Sequence, residues 1–212
     1  MAENNPEFWI FIGPNGSGKS TLTKKFIGKG IVPDNFINAD DMKKDLKISD
    51  QEAQTKAAKD CQEAIKNKES FAFETVGSHE SKAELMQQAK DNGFEVNLVF
   101  VTTQDPEINV MRVNKRVKAG GHDVPKDKII SRYERSMDLL KKEFQIADKA
   151  WVYNNSLENP ILIGRKSKDG NVILQTDENL KWTQKDLENL VGLDNKKAIG
   201  SLMASLIQTK ER

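Results

Sequence analysis

The chain has 212 residues, of which 37% are hydrophobic and 31% charged, and its formal net charge at pH 7 is +1. A chain of this size can bury the core of one globular domain, and its near-neutral charge argues against a surface that binds long nucleic acids. No segment is long and apolar enough for a membrane span, the N-terminus lacks the apolar run of a secretory signal, and the single cysteine excludes an internal disulfide, so we expect a cytoplasmic protein.

A glycine-rich segment follows the first predicted strand, residues 8–12. This segment, Gly13-Pro-Asn-Gly-Ser-Gly-Lys-Ser20, has the phosphate-binding pattern G-x-x-x-x-G-K-S/T at every fixed position, and a helical pattern begins at its end. In this setting backbone N–H groups and the helix N-terminus attract phosphate oxygens. We expect Lys19 to reach the β- and γ-phosphates of a nucleoside triphosphate and the Ser20 hydroxyl to ligate Mg²⁺. The residues predicted to bind nucleotide here are Gly13, Pro14, Asn15, Gly16, Ser17, Gly18, Lys19, Ser20 and Thr21.

Two aspartates follow the second predicted strand, residues 35–38. A carboxylate at this strand end lies on the same edge of the sheet as the phosphate loop, where it can accept a proton from an attacking hydroxyl. The alternative role for an aspartate at this position is to cap the helix that follows. We assign Asp40 to catalysis, because it lies nearer the strand end, and Asp41 to capping.

A glutamate ends the third predicted strand, residues 70–74. The helix before it, residues 49–68, begins with the capping-box pattern Ser49-x-x-Glu52. We expect Glu74 at the same edge as the phosphate loop, where it can hold a substrate hydroxyl or a Mg²⁺-bound water. An exposed strand end without a function is the alternative.

Arginines cluster around a glycine-containing segment, Gly120-Gly121-His122. Arg112 and Arg116 are four residues apart and therefore share one helix face, and Arg132 and Arg135 follow on the next helix. Such arginines suit a lid that closes over nucleotide phosphates and neutralises charge in the transition state. A solvated basic helix face is the alternative for any one of them.

Short apolar strands alternate with helical patterns, which predicts an α/β fold with a parallel sheet flanked by helices. Ligands of such sheets bind at the carboxyl ends of the strands. The other predicted elements of this part are helix 81–91, strand 95–101, helix 106–119, helix 125–144 and strand 150–153.

The C-terminal part has a different pattern. A predicted β-hairpin turns at Asp169-Gly170, a helix is predicted at 183–191, and an amphipathic helix is predicted within 195–212. We expect a single domain over 1–212, with its core at 8–155 and the hairpin and helices at 160–212.

Taken in order, these motifs resemble those of the zeta-toxin family. The resemblance covers about residues 8–155 and implies an adenylate-kinase-like P-loop NTPase fold that transfers the γ-phosphate of ATP or GTP. The motifs that carry it are Gly13–Thr21, Asn38-Ala-Asp40, Phe73-Glu-Thr75, Arg112-Val-x-x-Arg-Val-x-x-Gly-Gly-His-x-Val-Pro125 and Arg132-Tyr-x-Arg135.

The resemblance also implies an acceptor, a partner and roles for residues. The best-studied members of the family phosphorylate the sugar 3′-hydroxyl of a UDP-N-acetyl-amino sugar and are held by a small antitoxin. The resemblance assigns phosphate binding to Lys19, the role of catalytic base to Asp40 and substrate binding to Glu74. Triphosphate binding falls to Arg116 and Arg132, while Arg112 joins the nucleotide-binding residues as a lid arginine. The catalytic residues are therefore expected to be Asp40, Lys19, Glu74, Arg116 and Arg132, with Ser20 as the metal ligand.

Other classes of protein share the phosphate loop. An ABC transporter ATPase needs a Leu-Ser-Gly-Gly-Gln signature and an apolar strand that ends in Asp-Glu, and neither occurs. A kinase for nucleotides or polynucleotide ends is one alternative, and an ATPase or nucleotide-dependent binding switch without an acceptor is another. We predict a Mg²⁺-ATP-dependent kinase whose partners are a nucleoside triphosphate, a small-molecule acceptor and an antitoxin-like protein, with no membrane or nucleic acid.

Overall fold

The computed structural model describes residues 5–193, and within that range seven strands form one sheet. The strands are β1 Glu7–Ile12, β2 Phe36–Asn38, β3 Phe71–Thr75, β4 Glu95–Thr102, β5 Lys149–Asn154, β6 Ile161–Lys166 and β7 Val172–Leu174. They lie in the order β2-β3-β1-β4-β5-β6-β7. The first five strands in this order are parallel, and β6 and β7 extend the sheet as an antiparallel hairpin.

Helices connect the parallel strands, as their crossovers require. The helices within residues 5–193 are α1 Lys19–Gly28, α2 Ala39–Leu46, α3 Asp50–Asn67, α4 Ser81–Asp91, α5 Pro106–Lys118, α6 Lys126–Ile146 and α7 Gln184–Val191, the last of which follows the final strand. Local chemistry sets several of their starts: Ser49 and Thr183 form capping boxes with the residues three positions later, and Asp105 caps α5 ahead of a proline in its first turn.

Successive residues of β1 supply two separate cores, because side chains alternate across a strand. Phe8 and Ile10 belong to the larger cluster, which lies under α3, α4, α6 and α7. Trp9 and Phe11 belong to the smaller cluster on the other face, which α1 covers through Leu22. Full burial of side chains of this size stabilises the fold by about 1.5–3 kcal/mol each, so both faces of β1 hold the sheet in place.

A third cluster joins α5 to α6, and its buried members are Val110, Val113, Val124 and Ile129. It packs α5 against the start of α6. Within residues 5–193, no helix combines the length and the apolar composition that a membrane crossing requires.

The structure confirms the predicted fold class, and the predicted strands and helices 81–91, 106–119, 125–144 and 183–191 all occur within two residues of their expected limits. The hairpin also occurs, with Gly170 at φ +86° in its turn. The amphipathic pattern predicted within 195–212 lies outside the described residues.

The prediction that Asp41 caps a helix is wrong. The helix α2 begins at Ala39, three residues earlier than a cap at Asp41 would give, and its N-cap is Asn38. The backbone of Asn38 is extended, and its side-chain oxygen accepts a hydrogen bond from the Asp40 N–H at 2.8 Å. Since this bond already satisfies the start of the helix, Asp41 lies within the first turn with its carboxylate free for another role.

Candidate active site

The phosphate loop connects β1 to α1 and has the backbone of an anion-binding loop. Gly16 and Gly18 have φ of +80° and +85°, a conformation that glycine adopts without strain. A Cβ on Gly16 would lie 2.6 Å from the carbonyl oxygen of Asn109, so the loop has no room for a side chain there. No side chain caps the first turn of α1, which leaves its N–H groups directed at the concave side of the loop.

Three other parts of the fold hold this loop in place. The side-chain amide of Asn109 on α5 donates to the Asn15 carbonyl at 2.7 Å, and Arg132 on α6 donates to the Asn15 side-chain oxygen at 3.1 Å. The side-chain amide of Asn155, the residue directly after β5, donates to the Ser17 carbonyl at 2.7 Å. The loop is therefore shaped before any ligand binds, which lowers the cost of binding.

Sequence reasoning missed Asn109 and Asn155. They lie 94 and 138 residues from their loop partners along the chain, and neither belongs to a motif that marks a loop anchor. Thr103 orients Asn109 through a hydrogen bond from its hydroxyl to the amide oxygen, which leaves the amide nitrogen free to hold the loop.

Glu74 meets the two functional side chains of the phosphate loop. Its Oε1 lies 2.9 Å from the Nζ of Lys19 and 2.5 Å from the hydroxyl oxygen of Ser20. Burial alone would raise the pKa of Glu74, but the positive charge of Lys19 and hydrogen bonds from Ser20 and Lys19 outweigh it, so the pKa lies below its ordinary value. The carboxylate is therefore ionised at neutral pH, beside the groups expected to meet a triphosphate and a metal ion.

The two aspartates lie at the start of α2, next to this cluster. Asn38, their N-cap, pairs with Glu74 in the ladder between β2 and β3, and both aspartates are exposed. Burial and then the negative charge of Glu74 raise the pKa of Asp41, which also lines a cavity of about 250 Å³ with Phe36. The catalytic role of Asp40 stays a prediction. Asp40 lies two residues after Asn38, which pairs with Glu74 between β2 and β3.

The arginines divide into two groups. Arg132 reaches the phosphate loop, as expected for a residue that binds the triphosphate. Arg116 is exposed and donates to the His122 carbonyl at 2.8 Å, and Arg112 lies 3.5 Å from the Leu157 carbonyl, so neither of them contacts the loop in this structure.

The segment after α5 acts electrostatically on the start of α3. Asp50, at the start of α3, forms an ion pair with Lys43 at 2.7 Å. The hydrogen bond from Lys43 lowers the pKa of Asp50, and the charges of His122 and Arg132 add to this effect. His122 and Arg132 are therefore near enough to Asp50 for their charges to act on its carboxylate.

A family model described as Zeta toxin matches residues 1–168 of the chain. A protein of Haemophilus influenzae, described only as uncharacterized, is 34% identical over 126 residues, which are 58% of this chain and 90% of that protein.

Two solved structures share the fold at low sequence identity. The AvrRxo1-ORF1:-ORF2 structure with ATP contains a chain that is 15% identical with a TM-score of 0.65; the match covers 89% of this chain but 64% of that one. A chain of the PezAT chromosomal toxin–antitoxin system of Streptococcus pneumoniae is 14% identical with a TM-score of 0.57, and the match covers 95% of this chain and 89% of that one. The present chain thus spans less than two thirds of the AvrRxo1 chain, and both likenesses concern the fold.

Proposed function

Since the chain belongs to the zeta-toxin family, we propose that it is an ATP- or GTP-dependent kinase that phosphorylates a hydroxyl of a small molecule. The observation that carries this proposal is the convergence of Lys19 and Ser20 on Glu74, beside the helix whose first turn contains Asp40.

The phosphate loop has the features that a triphosphate requires. Gly16 and Gly18 leave a cradle without side chains, and the buried hydroxyl oxygen of Ser17 has no hydrogen-bond partner within residues 5–193. Lys19 lies within the loop and Arg132 bonds to it, so both supply positive charge there. Mg²⁺, held through the Ser20 hydroxyl, would neutralise charge on the phosphate oxygens.

The reaction that we propose needs few groups. The acceptor oxygen forms a bond to the γ-phosphorus, the bond from that phosphorus to the oxygen bridging to the β-phosphate breaks, and the nucleoside diphosphate leaves. Asp40 takes the proton of the acceptor hydroxyl, while Glu74 orients that hydroxyl once Lys19 has turned to the phosphates. Lys19 and Arg132 offset the charge on the transferring group, so catalysis rests on alignment and electrostatics.

For the acceptor, we propose the sugar of a UDP-N-acetyl-amino sugar, which the family resemblance suggests. For the partner, we propose an antitoxin-like protein, because the PezAT chain that shares this fold comes from a toxin–antitoxin system. We also propose that the residues over 1–212 form a single domain.

The proposal is tested by transfer of label from γ-labelled ATP, with Mg²⁺, to a panel of acceptors. The panel holds UDP-N-acetylglucosamine, UDP-N-acetylgalactosamine, nucleosides, free sugars and oligonucleotide ends. We expect a labelled nucleotide sugar, and we expect Asp40→Asn to lose about 10²-fold or more of the transfer while it keeps ATP binding. Asp34→Asn, an exposed aspartate before β2, is the matched control and should transfer normally.

The outcomes separate the candidate functions. Labelled oligonucleotide ends would instead indicate a polynucleotide kinase. Tight ATP binding with no labelled product, from the panel or from a metabolite extract, would indicate a nucleotide-dependent switch. Unchanged transfer in Asp40→Asn would remove the base role from that residue.

A further inference from the structure

A groove of about 750 Å³ runs between α4 and α6. Two apolar side chains line it: Ala83, which is buried, and Ile146, which is half-buried. Lys90 and Lys142 also line the groove, and lysine side chains offer apolar stems as well as charged ends. A groove between two packed helices, with apolar surface along it, suits the apolar face of a third helix.

The groove also carries two carboxylates without a basic partner. Glu84 and Asp91 line it seven residues apart on α4, and neither forms an ion pair within residues 5–193. The two lysines of the groove are already in ion pairs, Lys90 with Asp148 and Lys142 with Glu80. The groove therefore presents negative charge that the described residues do not neutralise, next to apolar surface.

The described part of the chain ends beside this groove. The helix α7 ends at Val191, and the carbonyl of the next residue, Gly192, accepts a hydrogen bond from the side chain of Gln145 at 3.3 Å. Gln145 is itself one of the residues that line the groove. The chain thus leaves α7 one side chain away from the groove, with residues 194–212 still to follow.

The sequence of this C-terminal segment matches the groove in two respects. The residues with the spacing of one apolar helix face are Ile199, Leu202, Met203 and Leu206. Its charge is mainly positive, because Glu211 is the only acidic residue in 195–212 and the basic residues there are Lys196, Lys197, Lys210 and Arg212. An apolar stripe with positive charge is the complement of an apolar groove with free carboxylates.

We propose that residues 195–212 pack against α4 and α6 of the same chain, with their apolar stripe in this groove and their basic residues near Glu84 and Asp91. The occupant is the chain's own C-terminal segment because the chain already reaches Gln145 at the edge of the groove. The proposal gives a place on the fold to a segment that supplies no residue to the proposed kinase site, and it does not depend on that function.

Chemical cross-linking of the full-length chain tests this packing. The native Cys61 does not compete, because it is fully buried and burial raises the pKa of its thiol to about 12. Gln87→Cys places a thiol at an exposed position of the groove, and Met203→Cys places one on the apolar stripe. We expect a bifunctional maleimide to link this pair within one chain. Ser201→Cys with Gln87→Cys is the matched control and should link about tenfold less, since residues 201 and 203 lie on opposite faces of a helix.

Three cross-linking results would overturn the proposal. Links between two chains, which rise with protein concentration, would place the segment on a second copy of the protein. Equal linking from positions 201 and 203, or no linking from either, would remove the stripe from the groove. The cysteine variants should melt at the wild-type temperature before cross-linking, which checks that each of them is folded.

Thermal melts give a second readout that needs no cross-linker. Leu202→Asp puts a charge on the apolar stripe, so we expect the Tm of the full-length chain to fall by about 5 °C. Ser201→Asp adds the same charge to the opposite face and should leave the Tm unchanged. An unchanged Tm in Leu202→Asp would contradict the burial of this side chain in the groove.

Discussion

The Oε1 atom of Glu74 accepts hydrogen bonds from both Lys19 and Ser20, at 2.9 Å and 2.5 Å. The two groups expected to bind phosphate and metal are therefore paired with an internal carboxylate before nucleotide arrives. In the proposed mechanism a triphosphate replaces this carboxylate as the partner of Lys19, and the exchange leaves Glu74 free for the acceptor hydroxyl. The same contact thus links nucleotide binding to acceptor binding.

Glu74→Gln removes the internal anion but keeps the shape of the side chain. We expect ATP to bind more tightly, by up to about tenfold, because Lys19 no longer has a competing carboxylate, while transfer falls by about tenfold or more. Calorimetry measures ATP binding and the labelled-ATP assay measures transfer. Glu69→Gln, at an exposed position, is the control. Lys19→Ala should lose all nucleotide-dependent transfer. Weaker ATP binding in Glu74→Gln would contradict the competition between Glu74 and phosphate.

The same pair predicts a dependence on pH. The pKa of Glu74 lies below its ordinary value of 4.5, because Lys19 and Ser20 outweigh the effect of burial. Its contribution to stability is therefore complete at neutral pH and is lost as the pH falls through the folded-state pKa. Glu74→Gln should lack this part of the acid-induced loss of stability.

Arg132 is expected to bind phosphate, since it donates to Asn15 within the phosphate loop. Arg132→Ala should weaken ATP and tripolyphosphate by the same factor, about tenfold, because the interaction does not involve the base. Lys128→Ala removes an exposed charge from the same helix and is the control. If Arg132→Ala weakened ATP alone, Arg132 would not be a phosphate ligand.

Glu143 makes the free energy of unfolding fall as the pH rises. Its side chain on α6 is fully buried, and neither carboxylate oxygen has a hydrogen-bond partner within residues 5–193. Burial, with a smaller effect of Glu80, raises the pKa of Glu143 from 4.5 to about 8. The folded protein therefore keeps a proton at pH 7 that the unfolded chain releases, and stability declines as the pH rises from about 4.5 to about 8.

Denaturant unfolding at several pH values measures this effect. Glu143→Gln cannot ionise, so we expect it to lose a pH-dependent change on the order of 3 kcal/mol between pH 4.5 and pH 7. The exposed Glu134→Gln on the same helix should keep the wild-type dependence. Identical pH profiles for Glu143→Gln and the wild type would mean that the carboxyl group finds a partner or water in solution.

Local sequence patterns alone were enough to identify much of this protein. The phosphate loop is a contiguous motif whose glycines and lysine lie within eight residues, so its position, and the roles that we propose for Lys19 and Ser20, follow from the sequence without a structure. Alternation of apolar strands with helices likewise predicts the α/β class, because each pattern depends on neighbours a few residues apart. The capping boxes at Ser49 and Thr183 are local in the same way.

Only the tertiary structure decided which distant residues meet. Glu74 and Lys19 are 55 residues apart in the chain and meet because β3 lies beside β1. The order of the strands in the sheet does not follow their order in the chain. Asn155 anchors the loop across 138 residues for the same reason. The cap of α2 is Asn38 rather than Asp41 because the helix begins directly after β2, so the Asn38 side chain is the one that reaches the first N–H groups. The two arginines of α5 hydrogen-bond the carbonyls of Leu157 and His122, whereas Arg132 bonds the phosphate loop, and only the packing of the helices decides which partners they reach.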